Sequence, residues 1–147
     1  MLQENVEQHD LPLDEYHRAG REVTNGNPEV YKELYSHRDD VTVANPFGPP
    51  VRGWSEVSAT LDRAAQNYRD GEIVGFENVS TVIAPDLAYT LEIESYRARV
   101  GGAQELAPVS LRVTTLFRRE DGVWKVVHRH ADPITAKRPP ASVIQAE

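Results

Sequence analysis

The hydrophobic pattern of the chain changes period at Gly71, and this change restricts the fold more than any other feature of the sequence. Before it, apolar residues recur every three to four positions, which is the period of a helix with one buried face. Leu13, Tyr16, Ala19, Gly20 and Val23 predict a first helix starting near Asp14 and broken by Asn25-Gly26-Asn27. Val30, Tyr31, Leu34 and Tyr35 belong to a short second helix, with Asn27 as its cap and Pro28 in its first turn. Trp54, Val57, Leu61, Ala64, Ala65 and Tyr68 form the stripe of a third, over 54–68. Between the second and third helices, 41–44 reads as a short strand and 46–53 as a loop rich in Pro and Gly.

After Gly71 the period becomes two, over about 72–84, 87–100, 106–119 and 123–132. Pro85-Asp86, Gly101-Gly102 and Glu120-Asp121-Gly122 join these segments. Links of hairpin length imply an antiparallel meander. Helices first and strands afterwards predict an α+β protein in which three N-terminal helices cover one face of a curved antiparallel sheet.

The 147 residues suit one domain, over 14–133, with an arm at 1–13 and an extended tail at 134–147. No apolar run approaches the roughly 18 residues of a membrane span, and the start lacks the pattern of a secretion signal. A cytoplasmic protein is therefore expected. The absence of cysteine removes disulfides, thiol nucleophiles and thiolate metal sites. A net charge of −7 argues against nucleic acid or an anionic membrane as a partner.

Alternation within the strands suggests which side chains point inward. Burial of large apolar groups puts Leu87, Tyr89, Leu91 and Ile93 on the inner face, with Glu92 and Glu94 outside and Arg112 as their cross-strand partner. A bulge that flips the strand would instead make Glu92 or Glu94 an internal base. Val109, Leu111, Val113, Thr115 and Phe117 are the inner face of the next strand. The last strand admits two readings: hydrophobicity turns Trp124, Val126, His128 and His130 inward, and the alternative turns in Val127, Arg129 and Ala131. His128 and His130, about 7 Å apart on one face, suit either a metal or acid–base pair or an interface, although no third metal ligand is evident. Asp39-Asp40 reads as a turn that accepts backbone hydrogen bonds.

The order of these elements, together with Asp-Asp-Val-Thr-Val-Ala-Asn-Pro-Phe-Gly-Pro-Pro-Val-Arg-Gly at 39–53 and Asp-Gly-Val-Trp-Lys-Val-Val-His-Arg-His at 121–130, resembles the nuclear transport factor two-like superfamily. Its SnoaL-like and ketosteroid isomerase-like branches are the nearest match. The resemblance implies a cone-shaped, cystatin-like sheet with a pocket, no cofactor and no metal, and a homodimer formed through the outer face of the sheet. It places Asn45 where the isomerases carry their aspartate base, and it turns Val127, Arg129 and Ala131 of the last strand toward the pocket. It also places Ala19 at the oxyanion tyrosine, with Tyr16 one turn earlier, and Val113 at the protonated aspartate. Of the two supporting tyrosines, Tyr35 is kept and Leu61 replaces the other. An amide has no pKa near neutrality and cannot take a proton from carbon, so steroid isomerisation is not expected.

The expected site is an apolar pocket lined by Tyr16, Tyr35, Trp54, Leu61, Tyr68, Tyr89, Ile93, Val113, Thr115 and Val127 and tipped by Asn45 and Arg129. If the last strand turns its other face, His128 and His130 replace the tip. Asn45 also suits a turn cap before Pro46. The expected ligand is a small organic molecule with a carboxylate, carbonyl or enolate group, and the expected chemistry is proton transfer or hydration at a carbonyl-activated carbon. The alternative is a non-catalytic binding or association module, as in the association domain of calcium/calmodulin-dependent kinase.

Overall fold

The structure is a computed structural model, described over residues 11–146. Most of the expected arm, 1–10, lies outside the described residues. Helix α1 spans Leu13–Thr24, with Asp14 and Glu15 in the first turn and Arg21 in the last, each placed to complement the helix dipole. Tyr16, Ala19 and Val23 are its buried stripe. At its end, Asn25 Oδ1 accepts from the Gly71 N–H at 3.1 Å, which pins α1 to the start of the sheet. The approach is so close that a Cβ on Gly71 would lie 2.9 Å from the Thr24 carbonyl oxygen, so the period change coincides with a contact that only glycine allows.

Helix α2 spans Glu29–Leu34, and Asn27 Oδ1 accepts from the Glu29 N–H at 3.1 Å. Helix α3 spans Trp54–Gln66 and buries Val57, Thr60, Leu61 and Ala65. It ends two residues before the spacing predicts, because Tyr68 already opens a strand.

The strands are β1 (Thr42–Ala44), β2 (Val51–Arg52), β3 (Tyr68–Ile83), β4 (Leu87–Val100), β5 (Ala107–Glu120) and β6 (Val123–Asp132). They form one six-stranded sheet in the order β2-β1-β6-β5-β4-β3. Every pairing is antiparallel except β1 with β6, where the short strand joins the last one side by side. Three breaks of register on β3 curl this edge, and Val74 and Val79, which they leave out of the pairing, are exposed. The described part of the tail, 134–146, is exposed and carries a 3-10 turn, Pro140–Val143.

The inner face of β4 corrects the sequence reading. Ala88, Thr90, Glu92, Glu94, Tyr96 and Ala98 are buried, whereas Leu87 and Tyr89 are exposed and Leu91 and Ile93 half-buried on the outer face. Apolarity misleads here because both carboxylates find partners inside, which removes the cost that would have turned them outward. The small residues Ala88 and Ala98 also suit a surface that helices cover. On β5 the expected set is buried, from Leu111 through Val113 and Thr115 to Phe117.

On β6 each of the two readings holds for half of the strand. Phe117 pairs with Val126 while Leu116 pairs with His128, so Val127 is the extra residue of a bulge. The bulge reverses the alternation: Trp124 and Val126 are inside before it, and Arg129 and Ala131 after it.

Candidate functional site

The concave face of the sheet, α1, α3 and the loop after β1 enclose a hollow with a cavity volume of about 50 Å³, at the bottom of a depression of about 630 Å³ with its open mouth included. Its walls are mainly apolar: Val23, Val43, Leu61, Tyr68, Ile73, Phe76 and Leu111. Phe47, half exposed, also lines the hollow, with its ring 5.6 Å from that of Tyr68. The polar side chains of the lining are Glu94, Arg129, Asn45 and Thr24, with the phenols of Tyr31, Tyr68 and Tyr96.

Glu94 and Arg129 face each other across β4 and β6 in a two-pronged pair: Nη1 donates to Oε2 and Nη2 to Oε1, each at 3.0 Å. Nη1 also donates to the Tyr16 hydroxyl, which shares a second hydrogen bond with Thr115 Oγ1. The guanidinium lies over the rings of Tyr16 and Tyr31, at 5.7 and 5.4 Å. Burial alone would pull the Arg129 pKa down, but Glu94 beside it holds it well above the ordinary value, so the charge is permanent. Burial raises the pKa of Tyr16, Tyr31 and Tyr35 despite the nearby arginine, so all three are neutral phenols.

Asn45 reaches the hollow from the end of β1, and its Oδ1 accepts from the Phe47 N–H at 2.9 Å. The side chain thus shapes the turn at Pro46 and borders the cavity at once. A second inner carboxylate, Glu92, lies two residues earlier on β4, outside the lining of the hollow. His17 Nε2 donates to its Oε1 at 2.7 Å and Asn78 Nδ2 to its Oε2 at 3.2 Å. The His17 ring stacks on Phe76 with centroids 4.0 Å apart.

Of the residues named from sequence, Asn45, Arg129, Leu61 and Tyr68 line the hollow. Tyr16 and Thr115 lie behind Arg129 as its support, and Tyr35, Val113 and Val127 are buried outside the lining. Trp54 stands outside the hollow, stacked on His37 at 3.8 Å. Tyr89 and Ile93 are on the outer face, for the reason given for β4. His128 and His130 are also outside: His128 Nδ1 meets Thr42 Oγ1 at 2.8 Å, and His130 Nε2 meets Asp132 Oδ2 at 3.2 Å. Arg112 pairs with Asp132 rather than with Glu92 or Glu94. Asp40 holds Arg118 through two hydrogen bonds, a structural role. Among the described residues no cluster of three or more His, Asp or Glu could hold a metal, and no helix is long and apolar enough to cross a membrane.

The pattern of the sequence did not bring forward Tyr31, Tyr96 or Phe76 as lining residues, and it placed Glu94 inside only as the consequence of a flipped strand. The available signal was the run of small or hydroxyl side chains, Ala88, Thr90 and Ala98, alternating with these carboxylates.

Comparison with known proteins extends this description. Residues 13–135 match the SnoaL-like domain. Among solved structures, the chain is similar to a candidate dehydratase of the NTF2-like family from Streptomyces avermitilis, with 21% identity, a TM-score of 0.71 and coverage of 92% of this chain and 100% of that one. It is similar to a ketosteroid isomerase-like protein from Erwinia carotovora, with 16% identity, a TM-score of 0.68 and coverage of 82% and 89%. A third is a candidate calcium/calmodulin-dependent protein kinase type II association domain from Thiobacillus denitrificans, with 18% identity, a TM-score of 0.64 and coverage of 83% and 91%. At these identities the likeness is one of fold, and the same fold serves unlike roles. No curated protein matches the sequence. With a match that spans the helices and the entire sheet, the chain belongs to the SnoaL-like domain family, and it shares the fold of the NTF2-like structures.

Proposed function

We propose that the protein binds a small organic molecule in the hollow, with a carbonyl oxygen of that molecule at the Arg129–Glu94 end. Proton transfer or hydration at the neighbouring carbon is the chemistry that this end suits. The observation that carries the reading is a hollow with apolar walls whose only charged lining residues, among those described, are Glu94 and Arg129, held together at its inner end. Apolar walls with a few convergent polar groups are the usual composition of a ligand site.

The chemistry follows from the groups that remain free. Arg129 spends three of its five N–H groups, two on Glu94 and one on Tyr16, so two can polarise a ligand carbonyl and acidify the adjacent C–H. Glu94 is the one carboxylate in the described lining, and each of its oxygens keeps a lone pair beyond the bond to Arg129. The C–H proton passes to Glu94, the electron pair moves to the carbonyl oxygen beside Arg129, and the proton returns to the same or a neighbouring carbon. Steroid isomerisation does not suit the site, because Asn45 is an amide and the Tyr16 hydroxyl, held between Arg129 and Thr115, lies outside the lining of the hollow.

The test is a ligand search by native mass spectrometry and thermal shift, followed by the double variant Glu94→Leu with Arg129→Met, which removes the polar pair without leaving a buried charge. Loss of ligand stabilisation in this variant supports the hollow as the site, and unchanged stabilisation overturns it. A second reading, a binding module without catalysis, is favoured by one feature: both Glu94 oxygens accept from Arg129, which makes the carboxylate a poorer base. Deuterium exchange at the ligand's α-carbon in heavy water separates the two.

The outer face supports pairing of two copies. Val82, Tyr89 and Leu116 form a row across β3, β4 and β5 that continues to His128, with Leu91 and Ile93 beside it. Val82 and Tyr89 are exposed in the single chain, and apolar groups on an open sheet face usually lie under another layer.

A further inference from the structure

We infer that the hollow selects uncharged carbonyl compounds, amides and ketones, over carboxylates, an inference that rests on the hollow being the ligand site. An arginine at the end of an apolar pocket ordinarily invites an anion. Here the invitation is already taken, since Glu94 binds the guanidinium with both oxygens and the pair carries no net charge. The other polar side chains of the lining, Thr24, Asn45, Tyr31, Tyr68 and Tyr96, are neutral, the three phenols because burial raises their pKa. Glu92, the next carboxylate along β4, is matched by His17 and Asn78 and offers no spare cation.

A carboxylate entering the hollow would lose its water and lie beside Glu94, with no positive charge left to match it. A ketone or amide meets neither cost. Its oxygen accepts from the two unspent Arg129 N–H groups or from Tyr31, and its apolar part lies against Val43, Leu61 and Leu111. The narrow cavity, about 50 Å³, favours a compact molecule.

Isobutyramide and isobutyrate have nearly the same shape and differ in charge, so they are the probes. Each is titrated into the full-length protein at pH 7.5 and followed by amide chemical shifts of the residues around the hollow. Isobutyramide should bind about tenfold or more tightly than isobutyrate, the penalty expected for one uncompensated charge. Glu94→Gln frees the arginine and should reverse the order, with isobutyrate gaining at least about tenfold. The double variant Glu94→Gln with Arg129→Gln, which leaves no buried charge, should keep the preference for the amide and remains informative if the single variant does not fold. Equal or tighter binding of isobutyrate by the unaltered protein overturns the selectivity while leaving the hollow as a site. Binding of neither probe overturns the hollow itself.

Discussion

His17 Nε2 donates to Glu92 Oε1 at 2.7 Å, so α1 is tied to the concave face of β4 through a buried carboxylate. Burial raises the pKa of Glu92, but the His17 and Asn78 hydrogen bonds and the nearby charges outweigh it and hold the carboxyl below its ordinary 4.5. A group whose folded pKa is depressed adds stability that is complete above its unfolded pKa and is lost as the pH falls through the folded one. Glu92→Gln should therefore cost about 1.5–3 kcal/mol at neutral pH, the worth of a charge-assisted hydrogen bond. The difference from the unaltered protein should shrink below about pH 5. Urea unfolding at a series of pH values between 7 and 3 measures it, and a constant difference across that range would refute the assignment.

Glu94 and Arg129 are each the other's compensation, so removing one is worse than removing both. Arg129→Met strands a buried carboxylate and should destabilise by about 3–5 kcal/mol. Adding Glu94→Leu should recover most of that loss, since an apolar pair of similar volume is often no less stable than a buried ion pair. A double-mutant cycle by chemical denaturation reads the coupling. Additive losses would mean that the two side chains do not depend on each other.

The architecture was legible because each level of the sequence agreed with the next: period, turn residues and the order of the elements all led to helices over a curled sheet. The site was less legible, and two residues show why. Glu94 looks like a surface residue in any reading that counts hydrophobicity alone, because its partner Arg129 lies 35 positions away and the pairing exists only after the sheet has formed. Val127 is one residue too many in β6, and a bulge carries no mark in a regular alternation. Hydrophobicity therefore described the strand before the bulge and the family resemblance described it afterwards. Asn45 served two roles at once, and its place in the chain suggested both.

Tyr89 lies between Val82 and Leu116 on the outer face, at the centre of the apolar row. If two copies meet there, Tyr89→Glu puts an unpaired charge in the middle of the contact, where desolvation makes it expensive. The variant should be a monomer at concentrations at which the unaltered protein is a dimer. The fold should survive, because this side chain lies on the outer face and is not a member of the buried core. Light scattering coupled to size exclusion measures the mass, and a dimer that persists in the variant places the contact elsewhere.

Asn45→Asp puts a carboxylate where the resemblance to the isomerases places their base, with little disturbance, since an aspartate oxygen can accept from the Phe47 N–H as the amide oxygen does. The missing part is the other half of the chemistry. A dienolate needs preorganised donors at its oxygen, and losing even one such donor typically costs about 100- to 1000-fold in rate. Here the Tyr16 hydroxyl is held between Arg129 and Thr115 outside the lining of the hollow, and Val113, where the resemblance places the second donor, has no proton to give. The variant should therefore fold with a thermal midpoint close to that of the unaltered protein and show no isomerisation of a β,γ-unsaturated ketosteroid, followed as conjugated enone absorbance. Turnover from this single change would mean that Tyr16 leaves Thr115 for a ligand oxygen. Arg129, which donates to the same hydroxyl, would then be acidifying a catalytic phenol instead of supporting a structural one.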